Sequence, residues 1–299
     1  MCIRDSELGA KEFTRRVEKE WKTIRDTAID LPVGEYERIR AFFAPPPYQS
    51  LPKNDTGFSH LEFENQDFSH WVRGNTLPHR QSGYSIANIS LKPIGGIPGD
   101  ASAKQMEVVA DLAEKFSFGE IRVAHEQNLV LPHVKQTDLY SIWNTLKEHN
   151  LATPNLGLIS DIIACPGMDY CSLATARSIP LAQDISNRFS NLRRQNDIGE
   201  LSVNISGCIN ACGHHHVGHI GLLGVDRKGE EYYQVTIGGS ADENASIGEI
   251  IGPAIPYDEV VDAIERVVET YVDLRARNES FIDALSLIHI SEPTRPLYI

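Results

Sequence analysis

The chain has 299 residues, of which 41% are hydrophobic and 23% are charged, a composition typical of a globular protein with about two domains. Its formal net charge of −13 disfavours nucleic acid as a partner. It contains no apolar run of about 18 residues and no basic region followed by an apolar stretch at its start. We therefore expect no membrane span and no secretory signal, and we place the protein in the cytoplasm.

The two ends of the chain can be encoded by the two strands of one oligonucleotide. Residues 1–6 can be written as ATG TGT ATA AGA GAC AG, and residues 285–290 as CTG TCT CTT ATA CAC AT, its reverse complement. This pair resembles read-through of a sequencing adapter at both ends of a cloned fragment. We expect residues 1–6 and 285–299 to be adapter-derived and the chain to be an internal piece of a longer polypeptide.

The first predicted element is a helix over residues 7 to about 40. Apolar side chains recur there at three- and four-residue spacings, at Phe13, Val17, Trp21 and Ile24. Three prolines at 45–47 end regular structure and indicate a boundary. We therefore treat residues 7–53 as a separate helical segment.

Residues 54–150 contain the order strand, helix, strand, strand, helix. Strands are predicted at 86–91, 121–124 and 129–134. The first helix follows a glycine-rich turn at 95–99, with Asp100 or Ser102 as N-cap and Met106, Val109, Ala113 and Phe116 as its buried stripe. The second begins near 137 and buries Leu139, Ile142, Trp143 and Leu146. This order is an incomplete ferredoxin-like unit, which exposes a sheet face or edge unless a second copy covers it.

Residues 151–284 are predicted to form a mixed domain, which makes the whole chain α+β. Two apolar stretches, at 158–164 and 201–206, each read as a strand that runs into a glycine-bearing turn. A hairpin is indicated by strands at 220–225 and 232–237 around the turn at 226–229. A helix with a regular stripe of valines and isoleucines begins near Tyr257 and is expected to be scaffold.

Four cysteines form two close pairs at the ends of the two predicted strands. Cys165 and Cys171 have the spacing C-x5-C, and Cys208 and Cys212 have the spacing C-x3-C. Two strand ends that point the same way could place all four sulfurs around one centre. We also expect Cys171 to open a helix after Asp169 as N-cap, where the helix N-terminus would stabilise its thiolate.

Several kinds of site could use such cysteines. Zinc is one alternative, although C-x5-C lies outside the usual spacing of structural zinc ligands. Disulfides are disfavoured in a reducing compartment, and buried structural cysteines are a further alternative. An iron–sulfur cluster fits better, because it needs four thiolates and tolerates varied spacing.

The cysteine motifs resemble those of a known enzyme family. The stretches ACPGMDYC at 164–171 and SGCINACG at 206–213 are similar to the paired cluster motifs of the sirohaem-dependent sulfite and nitrite reductases, and RVAHEQNL at 122–129 is similar to a strand motif of their ferredoxin-like half domain. The resemblance implies a ferredoxin-like half domain followed by a mixed α/β sirohaem and [4Fe-4S]-binding domain. It also implies that residues 7–53 are the helical tail of a preceding sirohaem domain.

The resemblance further implies roles for individual residues. Cys165, Cys171, Cys208 and Cys212 would bind a [4Fe-4S] cluster, and Cys212 would also be the proximal ligand of sirohaem and so act catalytically. Asn210, Arg122, Gln127 and Asn128 would lie beside the sirohaem, with Arg122 pairing a carboxylate. Arg122 could instead be a surface cation of a strand, and Asn210 a turn residue. The three histidines at 214–216 cannot all face one centre.

The function implied is that of an assimilatory sulfite reductase hemoprotein, which reduces sulfite to sulfide in six electron steps. Assimilatory nitrite reduction to ammonia is the runner-up. Two alternatives of another class are an iron–sulfur electron carrier and a zinc-stabilised structural module. The expected partners are an electron donor, either ferredoxin or a flavoprotein reductase, and the missing N-terminal half of the same polypeptide. Without that half, we expect the fragment to be inactive.

Overall fold

The computed structural model describes residues 7–27, 32–53, 55–243 and 245–291, with side chains up to residue 286. The adapter-like residues 1–6 and 292–299 lie outside these ranges. The chain divides into two units, Met1–Gln49 and Ser50–Ile299. None of the helices in the described ranges is long and apolar enough to cross a bilayer.

Within its described residues, the first unit contains two helices, α1 (Ala10–Ile24) and α2 (Glu35–Phe42). The prediction of one continuous helix from 7 to 40 is therefore wrong. Gly34 precedes α2 with a left-handed φ of 89°, a conformation that a helix interior does not contain. Neither helix buries a residue, and the predicted apolar stripe of α1 stays 36% to 51% exposed.

The second unit begins with a domain that we call the half domain, which runs from α3 to α6. Its helices are α3 (Thr56–Glu64), α4 (Gln66–Asn75), α5 (Ala103–Phe116) and α6 (Leu139–Glu148). Its strands are β1 (Thr76–Pro78), β2 (Tyr84–Ile89), β3 (Arg122–Val123) and β4 (Leu129–Lys135). They form one antiparallel sheet in the order β1-β2-β4-β3. The predicted order from β2 to α6 is confirmed, and β1, which was not predicted, covers the edge beside β2.

The two long helices of the half domain pack on this sheet. In α5, Ser102 is the N-cap and forms a capping box with Gln105. The predicted burial of Val109 and Ala113 is confirmed, but Met106 is 46% exposed. Val108 and Leu112 are buried instead, so the buried face of α5 is rotated from the predicted stripe. In α6, all four predicted residues are buried.

The remainder of the unit, which we call the cysteine domain, runs from β5 to α11. Its strands are β5 (Ile163–Ala164), β6 (Val203–Ser206), β7 (Ile220–Arg227), β8 (Glu230–Ile237), β9 (Glu249–Ile250) and β10 (Ile255–Pro256). Its helices are α7 (Gly167–Tyr170), α8 (Ile179–Arg188), α9 (Leu192–Ile198), α10 (Tyr257–Leu274) and α11 (Phe281–Ser291).

The sheet of the cysteine domain has the order β10-β8-β7-β6-β5. Strands β5, β6 and β7 are parallel, whereas β7 and β8 form the predicted antiparallel hairpin. Lys228 and Gly229 turn this hairpin with φ angles of 57° and 89°, as a tight two-residue turn requires. Helices α8 and α10 contribute the apolar side chains that cover the sheet, including Ile185, Ile264 and Val268. This sheet carries both cysteine motifs.

Candidate functional site

The two cysteine motifs leave the sheet side by side. Strands β5 and β6 are paired in parallel, with Ala164 opposite Ile205. The N–H of Cys165 donates to the carbonyl of Ile205 over 3.1 Å, and the second motif begins just beyond that residue. Parallel strands end at the same edge of a sheet. The prediction that the two strand ends point the same way is therefore confirmed.

The loops that follow these strands are hydrogen-bonded to each other. The carbonyl of Gly207 accepts the N–H groups of Thr175 at 2.9 Å and Ala176 at 3.0 Å. A Cβ at Gly207 would lie 2.6 Å from the carbonyl oxygen of Ala176 and 3.1 Å from the Cα of Gly167. Only glycine permits this approach. The two loops therefore form one structural unit beyond the C-terminal ends of strands β5 and β6.

The four sulfurs of these loops differ in exposure. Cys165 and Cys208 are 8% and 9% exposed, Cys171 is half-buried, and Cys212 is exposed. The sulfur of Cys165 accepts a hydrogen bond from the N–H of Gly207 at 3.1 Å and lies 3.3 Å from Oγ of Ser178. All four are free thiols. Within the described ranges, no three His, Cys, Asp or Glu side chains are grouped closely enough to hold a metal ion. The fold thus brings the loops together without gathering the sulfurs.

Cys171 does not open a helix, so that prediction is wrong. The short helix α7 lies before it, and the N–H of Cys171 caps this helix by donating to the carbonyl of Gly167 at 2.9 Å. Cys171 itself is extended, with φ of −125° and ψ of 113°. The helix starts early because Pro166 has a fixed φ suited to a helix start. The helix ends at Tyr170, and the chain then turns so that the N–H groups of Thr175 and Ala176 donate to the carbonyl of Gly207.

Arg122 and Asn210 are both exposed. Arg122 lies on β3, the edge strand of the half-domain sheet, and its Nε donates to Glu120 over 2.6 Å. Its side chain is 61% exposed. Asn210 lies between the last two cysteines, and its carbonyl oxygen is 4.0 Å from the sulfur of Cys212. Both side chains are open to solvent at positions where they could meet a further group.

The side-chain amides of Gln127 and Asn128 form hydrogen bonds within the protein. The amide of Gln127 donates to the carbonyl of Ala164 over 2.8 Å and accepts the N–H of Ala164 over 3.1 Å. Asn128 is 2% exposed; it accepts the N–H of Leu91 and donates to Asp161 over 3.0 Å. Both residues therefore join the half domain to the segment just before Cys165.

A buried ion pair that was not predicted lies in the same place. Nζ of Lys92, a residue 2% exposed, is 2.6 Å from Oδ1 of Asp161 and also donates to the carbonyl of Glu126. The second carboxylate oxygen of Asp161 accepts the N–H of Gly157 at 2.9 Å. Burial lowers the pKa of Lys92, and the charge of Asp161 opposes this effect. In the sequence, this ion pair was indicated only by the position of Lys92 directly after a predicted buried strand.

The three consecutive histidines do not face one centre, as expected. His215 and His216 belong to a short 3₁₀ helix, His215–Val217, and His214 precedes it in a left-handed conformation. His215 is 2% exposed, whereas His214 and His216 are exposed. Burial, and then the neighbouring His216, lowers the pKa of His215 to about 4.

Large apolar side chains are exposed in both cysteine loops. Met168, Tyr170 and Leu173 are 51%, 77% and 69% exposed in the first loop, and Ile209 is 84% exposed in the second. Water-facing apolar side chains grouped in this way indicate a surface that another group covers.

Comparison with known proteins gives matches in both domains. Residues 89–149 match the nitrite/sulfite reductase ferredoxin-like half domain, and residues 158–282 match the nitrite and sulphite reductase 4Fe-4S domain. The chain is 27% identical over 66% of its length to a chloroplastic ferredoxin–nitrite reductase of Spinacia oleracea, covering 34% of that protein. It is 30% identical over 63% of its length to a sulfite reductase (ferredoxin) 2 of Mycolicibacterium paratuberculosis, covering 36%. The chain thus spans about a third of these relatives.

Two solved structures share the fold. The structure of the Mycobacterium tuberculosis NirA protein covers 95% of this chain with a TM-score of 0.58 and 24% identity, and the match takes up 46% of that protein. Dissimilatory sulfite reductase I gives a TM-score of 0.57 at 13% identity, over 73% of each chain. At these identities the likeness concerns the fold alone.

Proposed function

Because the chain belongs to the nitrite and sulfite reductase family, we propose that it is part of an assimilatory sulfite reductase hemoprotein that reduces sulfite to sulfide. One observation carries the proposal. Two loops with four free thiols are held together where the parallel strands β5 and β6 end. The ferredoxin-like half domain packs against the segment that leads into the first loop.

The thiols suit a [4Fe-4S] cluster held by Cys165, Cys171, Cys208 and Cys212. Soft thiolates are the usual ligands of iron–sulfur clusters, and N–H groups directed at the sulfurs tune them, as Gly207 is directed at Cys165. Cys171 and Cys212, the two more exposed thiols, would move toward the buried pair on loading. Such coupling of metal binding to local folding is common.

The exposed apolar side chains support a second group beside the cluster. Sirohaem on Cys212 would cover part of this surface, with Asn210 at its side. Arg122 would release Glu120 to pair with a carboxylate of the macrocycle. The cluster would pass electrons one at a time, and sirohaem would hold the anion being reduced. Gln127 and Asn128 support the site from behind, because their amides are already paired within the protein.

The remaining parts of the reaction lie outside this chain. The residues that bind sulfite would belong to the N-terminal half of the same polypeptide. Ferredoxin is the proposed electron donor, since the relatives named above are ferredoxin-dependent. A zinc module accounts less well for the site, because the C-x5-C spacing is unusual for structural zinc.

Nitrite is the second candidate substrate, because several of the similar proteins are ferredoxin–nitrite reductases. The test is turnover of the full-length protein with reduced ferredoxin, with sulfite and nitrite assayed separately. We expect the larger kcat/KM with sulfite and no turnover by residues 7–284 alone. A larger kcat/KM with nitrite would reverse the order of the two candidates. Absence of turnover with both would contradict the proposal.

A further inference from the structure

Strand β5, which leads directly into Cys165, lies at the edge of its sheet. Among the strands that the structure describes, it pairs with β6 on one side and with none on the other. An edge strand leaves N–H and C=O groups unpaired, and these need partners when they are buried. Ala164 is 4% exposed, so its outward N–H and C=O cannot rely on bulk water.

The side chain of Gln127 pairs with both of these groups. Its Nε2 donates to the carbonyl of Ala164 over 2.8 Å, and its Oε1 accepts the N–H of Ala164 over 3.1 Å. A single primary amide thus makes the two hydrogen bonds that a neighbouring antiparallel strand would make. Gln127 comes from the turn between β3 and β4, so the half domain closes this edge of the cysteine domain.

The backbone around Gln127 is arranged to allow this contact. Gln127 has a φ of 61°, in the left-handed region that non-glycine residues seldom adopt. Gly99 gives it room, since a Cβ at position 99 would lie 2.9 Å from the Cβ of Gln127. Strain of this kind persists where a particular side chain is needed. Glycine or asparagine would suit the turn better, but neither could supply the same amide at that reach.

The other end of the segment before Cys165 is held by the same turn. Asn128 donates to Asp161, and Lys92 links Asp161 to the carbonyl of Glu126. The segment from 161 to 164 is therefore fixed at both ends by residues of the half domain. The next residue is Cys165, whose sulfur accepts the N–H of Gly207.

The geometry points to Gln127 as a positioning residue for Cys165. By fixing Ala164, its amide holds the sulfur of Cys165 at hydrogen-bond distance from the N–H of Gly207. Hydrogen bonds to ligand sulfurs help to set the reduction potential of iron–sulfur clusters. The half domain thereby tunes the cluster through one side chain. The effect on the cluster potential rests on the proposed function. The two hydrogen bonds of Gln127 to Ala164, which we call the clamp, do not depend on it.

The test compares Gln127→Ala and Gln127→Glu with the wild-type full-length protein. Gln105→Ala is the matched control, because its amide also makes backbone hydrogen bonds in the half domain, to Ser102 and His149. In apoprotein, we expect the Ala164 amide to exchange about tenfold faster in Gln127→Ala, as the loss of a buried hydrogen bond predicts. Gln127→Glu keeps the acceptor and should give a smaller increase.

In protein that contains its cluster, we expect the midpoint potential to shift in Gln127→Ala and to stay at the wild-type value in Gln105→Ala. An unchanged exchange rate at Ala164 would overturn the clamp. Faster exchange with an unchanged potential would overturn the positioning role. Wild-type protein without iron and acid-labile sulfide would overturn the proposed function instead, and the exchange rate in apoprotein would still decide whether the clamp exists.

Discussion

His215 is a buried imidazole that the fold keeps neutral. Its Nδ1 has no hydrogen-bond partner in the part of the chain that the structure describes. The ring of His216 lies against it, with centroids 3.9 Å apart. Burial first, and then His216, lowers the pKa of His215 from 6.5 to about 4. Protonation of His215 therefore opposes folding.

This shift predicts how stability depends on pH. Between about pH 6.5 and 4 the unfolded chain binds a proton at His215 that the folded chain does not bind. The contribution of His215 to stability is therefore complete above pH 6.5 and is lost as the pH falls toward 4. It amounts to at most about 3 kcal/mol. We expect His215→Gln to flatten this part of a urea-unfolding profile measured against pH.

His70→Gln is the control, because His70 is an exposed histidine on α4. We expect this variant to keep the wild-type pH profile. If His215→Gln also kept the wild-type slope between pH 6.5 and 4, the buried neutral state assigned to His215 would be wrong.

Single residues of the site were predictable to different degrees. The four cysteines were found by their spacing and by the strands before them, and the structure places both pairs at one sheet edge. The contact of Gln127 with Ala164 spans 37 residues and joins two domains, so no local pattern indicates it. Lys92 and Asp161 are 69 residues apart, and the same reason applies.

The contact between the half domain and the cysteine domain depends on the segment just after β2. This segment ends in Lys92, whose buried pair with Asp161 has side chains only 2% and 7% exposed. A buried ion pair adds little net stability, but removing one partner leaves the other charge buried without its counter-ion. We therefore expect the pair to favour this domain contact over contacts that would separate the two charges.

We expect Asp161→Asn to lower the free energy of unfolding by about 3–5 kcal/mol, because it leaves the Lys92 ammonium buried without its counter-ion. Lys92→Met should cost less, since the carboxylate of Asp161 keeps its hydrogen bonds from Asn128 and Gly157. Denaturant unfolding of both variants measures the difference.

An exposed pair in the same half domain supplies the control. Lys104 and Glu107 are 3.9 Å apart with side chains 71% exposed. Glu107→Gln should change stability by less than about 1 kcal/mol. Equal losses for Asp161→Asn and Glu107→Gln would show that the buried pair has no special part in the domain contact.

Elements were predicted well where periodicity alone decides them. The structure contains the predicted order β2, α5, β3, β4, α6 and the predicted β7–β8 hairpin, because the apolar spacing of these elements is regular. The helix predicted at Cys171 was wrong because the backbone there is extended and the loop that follows donates hydrogen bonds to Gly207 of the second cysteine loop. The exposure of Met106 has a similar tertiary origin, since packing on the sheet selects the buried face of α5.

The whole molecule combines two well-packed domains with large apolar side chains that are exposed to solvent. The cores of the half domain and the cysteine domain each contain large buried side chains, such as Trp71 and Phe189. By contrast, Leu173 and Ile209 in the cysteine loops are 69% and 84% exposed. This contrast agrees with the coverage of the relatives, of which the chain spans about a third.

In the proposed function, four thiols of this chain hold an iron–sulfur cluster, and Cys212 also binds sirohaem. The direct measurement is iron, zinc and acid-labile sulfide per polypeptide, with the absorption spectrum, in full-length protein purified without oxygen. We predict about four acid-labile sulfides with iron and a porphyrin-type absorption band. In Cys212→Ser we expect both the acid-labile sulfide content and the porphyrin-type absorption band to be reduced. Zinc without iron or sulfide, and no such band in the wild type, would contradict the account.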